Sequence, residues 1–169
     1  MKYFYVFAFL LFFLSCNNKE NKLDNDISDL ELEIKAREIT DSIIQNATKN
    51  KYLDSAGMEN SPVIVLKSSF VKQDYSNYKD IELKYKNVSN KTITAIRFEW
   101  YGENAFGEPA DMGGSFSKGT GGGFTDETLK PNKTGYGQWS ILSNDGKKIK
   151  MARAYEVAFS DGSTWKLNN

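Results

Sequence analysis

The stretch KDIELKYKNVSNKTITAIRFEWYGE, residues 79–103, decides the fold because apolar and polar residues alternate along most of it. The alternating apolar positions are Ile81, Leu83 and Tyr85, followed by Ile96, Phe98 and Trp100. A period of two is typical of a strand with one buried face, so two such strands are predicted on either side of the polar turn 87–91. Ile93 has the opposite parity, which predicts a β-bulge near Thr94.

Outward from this stretch, further apolar runs predict the same kind of element. They cover residues 62–70, 135–142, 149–159 and 163–167. Asp-Gly pairs at 145–146 and 161–162 suit tight turns between them. At least six strands in about 110 residues predict an all-β domain, an immunoglobulin-like β-sandwich over residues 60–169.

Parity also predicts which large side chains of this domain are buried in the core. Trp100, Trp139 and Trp165 share parity with aliphatic neighbours and are expected in the core, as is Tyr155. The segment 102–128 holds eight of the 13 glycines, and it is expected to be a loop that connects two strands.

Two segments carry a resemblance to a known family. Residues 79–109, KDIELKYKNVSNKTITAIRFEWYGENAFGEP, and residues 129–141, LKPNKTGYGQWSI, resemble the small immunoglobulin-like domains of the FxLYD type in bacterial lipoproteins. The matching features are the Lys-Asn pair at 86–87, Gly107 and the Leu-x-Pro turn at 129–131, whereas Asn132 stands where the family usually has glycine. The resemblance spans about residues 61–145 and implies the fold, with no catalytic residue to carry over.

The N-terminal segment MKYFYVFAFLLFFLSC has the layout of an export signal, with Lys2 followed by an apolar run over residues 3–14. This run is shorter than the ~20 residues that a membrane-spanning helix needs, so residues 1–15 are predicted to be a cleaved signal peptide. The segment resembles a bacterial lipoprotein signal, with Phe13 where such signals usually carry leucine. The resemblance implies that Cys16 is lipidated (palmitate among its acyl chains) and anchors a Bacteroidetes-like protein to the cell outer membrane, facing either the periplasm or the surface.

Between the signal and the β domain, residues 16–25 are polar and are expected to form a flexible tether. Residues 26–50 predict an amphipathic helix, with a linker continuing to residue 56. Its apolar face is assigned to Leu32, Ala36, Ile39, Ile43 and Ala47, with Ile27, Leu30 and Ile34 on or near the same face. This helix either packs on the β domain of its own chain or pairs with another chain or a membrane surface.

Composition excludes several functions. Lys and Arg total 22, as do Asp and Glu, so the chain has no net charge and lacks the basic surface typical of a nucleic-acid partner. Without histidine, the Ser-His-Asp and Cys-His nucleophile arrangements are unavailable. We therefore expect no enzyme, no cofactor and no catalytic residue.

The expected function is a non-catalytic binding or structural module with an unknown protein or glycan partner. Two exposed aromatic residues outside the core parity, Tyr101 and Tyr136, are the candidate ligand surface. A sugar- or peptide-binding role that uses them together with the 102–128 loop is the alternative. A calcium-dependent adhesion module is a further alternative, with its ligands drawn from Glu103, Glu108, Asp111, Asp126 and Glu127, although no metal site is assigned.

Overall fold

The computed structural model describes residues 20–115 and 117–167, with side chains from residue 29 onward. The predicted signal peptide and Cys16 lie outside these residues. A long helix and a short 3-10 helix precede seven strands. They are α1 (Glu20–Leu53), the 3-10 turn Met58–Asn60, β1 (Val63–Lys72), β2 (Lys79–Asn87), β3 (Ile93–Glu103), β4 (Thr120–Thr125), β5 (Thr134–Ser143), β6 (Lys148–Phe159) and β7 (Thr164–Lys166).

The strands form two antiparallel sheets that share one core. One sheet has three strands in the order β1-β2-β5, and the other has four in the order β4-β3-β6-β7. Apolar side chains from both sheets meet in one buried cluster that includes Leu83 and Tyr85 from β2 and Phe98 and Trp100 from β3. This arrangement confirms the predicted all-β, immunoglobulin-like sandwich.

The alternation in β2 and β3 determines which faces are buried. Ile81, Leu83 and Tyr85 are at most 1% exposed, and the residues between them are partly exposed. The predicted bulge is present, because Ile93 lies opposite Phe159 whereas Ala95 lies opposite the adjacent Ala158. Ile93 is therefore buried on the same side as the rest of the core despite its parity.

The tryptophans lie where their parity predicts. Trp100 is fully buried, and Trp139 and Trp165 pack against the core cluster. The Trp139 ring is tilted against Phe98 and Trp100, with centroid separations of 5.5 and 5.7 Å. These separations are in the range of favourable aromatic pairs, so this cluster joins the two sheets.

Two local assignments are wrong. The glycine-rich segment contains strand β4, with the sequence TGGGFT, where only a loop was expected. Tyr155 was expected in the core but lies outside it, because β6 has a bulge at this point. Arg97 is opposite Glu156, whereas Phe98 is opposite Ala154. The extra residue reverses the alternation, so Ala154 takes the buried position and Tyr155 faces outward.

Helix α1 also differs from the prediction. It begins at Glu20, so residues 20–25 are helical where a tether was expected. At 3.6 residues per turn, Leu30 and Ile34 lie about 200° around the helix from Leu32 and Ala36 respectively, so they do not extend its apolar face. Leu32, Ile39 and Ile43 are each more than 60% exposed. No helix among the described residues combines the length and apolar character that crossing a bilayer requires.

The chain divides into two compact units, Met1–Ile44 and Gln45–Asn169. The last helical residues, from Gln45 to Leu53, belong to the second unit together with the sandwich. Their contacts with the strands help to form the candidate site.

Candidate functional site

The two aromatic residues predicted to bind a ligand lie on opposite sheets. Tyr136 is on β5, 58% exposed on the outer face of the three-stranded sheet, with Lys84 Nζ 5.4 Å from the centre of its ring. Tyr101 is on β3 of the four-stranded sheet and is completely buried. The two rings do not form one surface, and the expectation that Tyr101 is exposed is wrong.

Tyr101 is buried because the end of helix α1 and the loop between β3 and β4, at Gly119, both cover it. Its parity does direct it away from the core, but the Tyr52 ring lies over it at a centroid distance of 6.2 Å. Burial raises the pKa of the Tyr101 phenol above its ordinary value of 10.0. Its hydroxyl oxygen has no hydrogen-bond partner among the described residues.

An ion pair lies beside Tyr101. Lys49 Nζ is 2.6 Å from a carboxylate oxygen of Glu103, and Lys150 Nζ is 3.7 Å from the other oxygen. The Glu103 side chain is only 6% exposed. The hydrogen bond from Lys49 lowers the pKa of Glu103 below its ordinary value of 4.5, more than burial raises it. A charged contact thus fixes the end of the helix against β3.

A second buried ion pair lies further along the same sheet. Arg153 Nε donates to Glu99 Oε1 at 2.7 Å, and Arg153 Nη1 donates to the backbone carbonyl of Asp54, just after the helix. The side chains of Arg153 and Glu99 are 3% and 15% exposed. Arg153 Nη2 has no partner among the described residues. Because burying an unpaired charge is costly, this mutual neutralisation allows both groups to remain beneath the surface.

A groove opens over Glu99, with a volume of about 370 Å³. The helix end supplies Thr48 and Tyr52, and β6 supplies Tyr155. The opposite wall includes Gly114, Ser115 and Ser117 and the start of β4, residues 120–122. We call this cavity the outer-face groove, and it is formed entirely within the unit Gln45–Asn169.

Strand β4 can line the groove because its glycines allow close approach. A Cβ atom on Gly121 would lie 1.8 Å from Met112 O and 2.2 Å from Trp100 Nε1. Trp100 Nε1 donates to Met112 O at 2.9 Å, so the glycine leaves space for the hydrogen bond that ties the loop before β4 to the core. The glycine-rich sequence is therefore required by packing.

The loop between β3 and β4 is also held by its own backbone. Gly102 N–H donates to Gly119 O at 2.8 Å, and Ala110 N–H donates to Gly102 O at 3.1 Å. Thr120 Oγ1 donates to Ser117 O at 2.8 Å. These bonds place Ser115 and Ser117 at the rim of the outer-face groove.

The acidic residues of this region have separate roles. Glu103 pairs with Lys49, Glu108 accepts a hydrogen bond from the side-chain amide of Asn104, and Asp145 accepts one from the backbone N–H of Asp111. Within residues 20–115 and 117–167, no group of three or more Asp, Glu or Cys side chains is placed to hold a metal ion.

Several residues of the groove were not identified from the sequence. Tyr52 lies at the end of a helix, and nothing local shows that it returns to the sandwich. Glu99 and Arg153 give a weak signal, because they carry opposite charges but both strands also hold other charged residues. Opposite charges on two neighbouring strands can form such a pair, but only the register shows that they lie opposite each other.

Comparison with known proteins finds similarity to solved structures only. No family model matches the chain, and no curated protein sequence matches it. The 1.85 Å X-ray structure of a hypothetical protein from Peptoclostridium difficile 630 is 13% identical, with a TM-score of 0.47, and the match covers 63% of this chain and 87% of the other. The X-ray structure of the Northeast Structural Genomics Consortium target SoR45 is also 13% identical, with a TM-score of 0.33 and coverages of 62% and 79%. Neither resemblance carries an argument about function.

Proposed function

We propose that this chain is a lipid-anchored lipoprotein of the bacterial cell envelope that binds a ligand without transforming it. The signal layout of residues 1–15 and the position of Cys16 support the anchor. The resemblance of residues 61–145 to FxLYD-type lipoprotein domains supports the same class. Lipidation with more than one acyl chain gives stable membrane attachment.

The binding role rests on one observation, the outer-face groove on the β-sandwich. The walls of the groove come from three separate parts of the chain, and ion pairs fix two of them. Among its described lining residues, Glu99 is the one carboxylate, and Arg153 already neutralises it. This lining supports binding rather than acid-base chemistry, for which two carboxylates in different environments are usual.

The anchor is tested by metabolic labelling with radioactive palmitate in cells that produce the wild-type chain or Cys16→Ala. We expect label in the wild type only, and we expect the variant to be released in soluble form. A wild-type chain that carries no label, or a variant that is labelled as strongly as the wild type, would contradict the lipoprotein assignment.

Treating intact cells with protease and with antibody tests whether the domain faces the cell surface or the periplasm. Degradation on intact cells indicates the cell surface, and protection until the outer membrane is opened indicates the periplasm. We propose the outer membrane as the location in either case. Fractionation of the wild type with the inner membrane would refute it.

A further inference from the structure

The lining of the outer-face groove has a distinct chemical character. Six of its lining residues carry a side-chain hydroxyl group, and these are Thr48, Tyr52, Ser115, Ser117, Thr120 and Tyr155. A hydroxyl can both donate and accept a hydrogen bond, and although Thr120 Oγ1 already donates to Ser117 O, its oxygen can still accept. A ligand that presents hydroxyl groups of its own meets hydroxyl partners from the helix end, from β6 and from the chain before β4.

Two of these residues also provide flat apolar surfaces. Tyr52 comes from the helix end and Tyr155 from the bulge in β6, so their rings reach the groove from different elements. An aromatic ring with a polar tip packs on the C–H face of another ring while its hydroxyl bonds at the edge. Saccharide rings have both features, a C–H face and hydroxyl groups around the edge.

The charge of the groove restricts the ligand further. Glu99 Oε1 is bound by Arg153, and no donor among the described residues reaches Glu99 Oε2, which is free to accept a hydrogen bond. Since the pair is neutral overall, a charged ligand would lose hydration without gaining a counter-ion. A neutral ligand with hydroxyl donors would not incur that cost.

From these features we propose that the outer-face groove binds an uncharged saccharide unit. The sugar ring lies against Tyr155 and Tyr52, and one hydroxyl donates to Glu99. The volume of 370 Å³ is near the lower end of the ~300–1,000 Å³ typical of ligand pockets, so the groove holds a short glycan or one end of a longer chain. This inference deepens the proposed binding function and depends on it.

The test uses the full-length chain in micelles of an amine-oxide detergent, whose headgroup contains no sugar. Binding is measured by calorimetric titration against a panel of neutral oligosaccharides that includes maltose, cellobiose and lactose, beside acidic oligosaccharides of the same length and an uncharged tetrapeptide. We expect at least one neutral oligosaccharide to bind and the acidic ones to bind more weakly.

Two matched variants locate the site. Tyr155→Leu removes a ring that lines the groove, and Tyr136→Leu makes the same change on the outer face of the other sheet. We expect Tyr155→Leu to raise Kd about tenfold and Tyr136→Leu to leave it within about twofold. Thr48→Val, which removes only a hydroxyl from the helix end, should raise Kd about threefold. Circular dichroism shows whether each variant is folded.

The remaining outcomes all overturn the proposal. No binding by any neutral oligosaccharide, tighter binding of the acidic ones, or an equal effect of Tyr155→Leu and Tyr136→Leu would each refute it. If only the tetrapeptide binds and Tyr155→Leu weakens it, the saccharide assignment fails but the binding module remains. Because the palmitate and protease experiments test the anchor separately, failure of the anchor is distinguishable from failure of the ligand class.

Discussion

The hydroxyl group of Tyr101 is buried without a hydrogen-bond partner among the described residues. A buried, unsatisfied polar group reduces stability, so its removal is not expected to be harmful. We predict that Tyr101→Phe leaves the free energy of unfolding unchanged or raises it by up to about 1 kcal/mol. The measurement is equilibrium unfolding in urea.

Tyr85→Phe is the matched control for this substitution. Tyr85 is also buried, but its hydroxyl donates to Tyr136 O at 3.5 Å. Because a bond is lost, we expect this variant to be destabilised by up to about 1 kcal/mol. A larger loss in Tyr101→Phe than in Tyr85→Phe would show that the Tyr101 hydroxyl has a partner.

The buried carboxylate of Glu103 makes stability depend on pH. Its pKa in the folded state lies below 4.5, chiefly because Lys49 donates a hydrogen bond to it. A group whose pKa is lowered by folding stabilises the protein above its unfolded pKa, and this contribution is lost as the pH falls through the folded value. The pKa of Lys49 is raised above 10.5 by the same bond, so the pair is fully charged at neutral pH.

We therefore predict that part of the stability is lost as the pH is lowered below about 4.5, and that Glu103→Gln removes this part. The slope of unfolding free energy against pH between about 5 and 2 is the quantity to compare. Glu59→Gln is the control, since Glu59 is exposed and forms no ion pair among the described residues. Equal slopes for Glu103→Gln and the wild type would refute the prediction.

At the level of single elements, β4 depends on the absence of side chains. A Cβ atom on Gly121 would collide with Met112 O and Trp100 Nε1, and neither can move without breaking their hydrogen bond. We predict that Gly121→Ala lowers the free energy of unfolding by about 3 kcal/mol or more. Urea unfolding measures this change.

Gly107→Ala separates steric conflict from backbone strain. Gly107 has φ of 82°, but no atom lies within 4 Å of its Cβ position. An alanine there is expected to cost roughly 1–2 kcal/mol, because an L residue is disfavoured in the left-handed region. A cost at Gly107 equal to or above that at Gly121 would contradict the packing explanation.

The elements differ in how well local sequence predicts them. Strands β2 and β3 follow from alternation, because Ile81, Leu83 and Phe98 mark the buried face directly. Strand β4 could not be found in this way, because a run of glycines shows no hydrophobic period. Glycine is needed there because of contact with Trp100, which is distant in sequence. Tyr155 was misplaced because a single bulge reverses parity for the residues beyond it.

The candidate site was predicted less well than the fold for a related reason. The parity of Tyr101 correctly predicts that its side chain points away from the core. Its burial, however, depends on the helix end, which lies against the outer face of the sheet. That contact joins residues about 50 positions apart, and local pattern does not report contacts at such distances. Part of the 102–128 segment lines the groove, namely Gly114, Ser115, Ser117 and residues 120–122, but its role in binding stays a prediction.

At the scale of the whole molecule, the sandwich and the helix end form one unit, and the buried core residues that the structure describes all lie at position 63 or later. The contacts from the helix end, through Lys49 and Tyr52, also lie within this unit. Residues up to 44 are therefore not needed for the core. We predict that a truncated chain of residues 45–169 unfolds cooperatively, with a midpoint temperature within about 3 °C of the full chain.

A shorter truncation, residues 54–169, gives the matching comparison. It removes Lys49, Tyr52 and Thr48 while retaining all seven strands, so Tyr101 and Glu103 lose their cover. Exposing the Tyr101 ring loses apolar burial, and Glu103 loses its contact with Lys49, so we expect the midpoint to fall by about 5 °C or more relative to residues 45–169. Calorimetry of both chains at pH 7 measures the difference. Equal midpoints would show that the helix end does not stabilise the sandwich, whereas failure of 45–169 to fold would show that the earlier residues belong to the same folding unit.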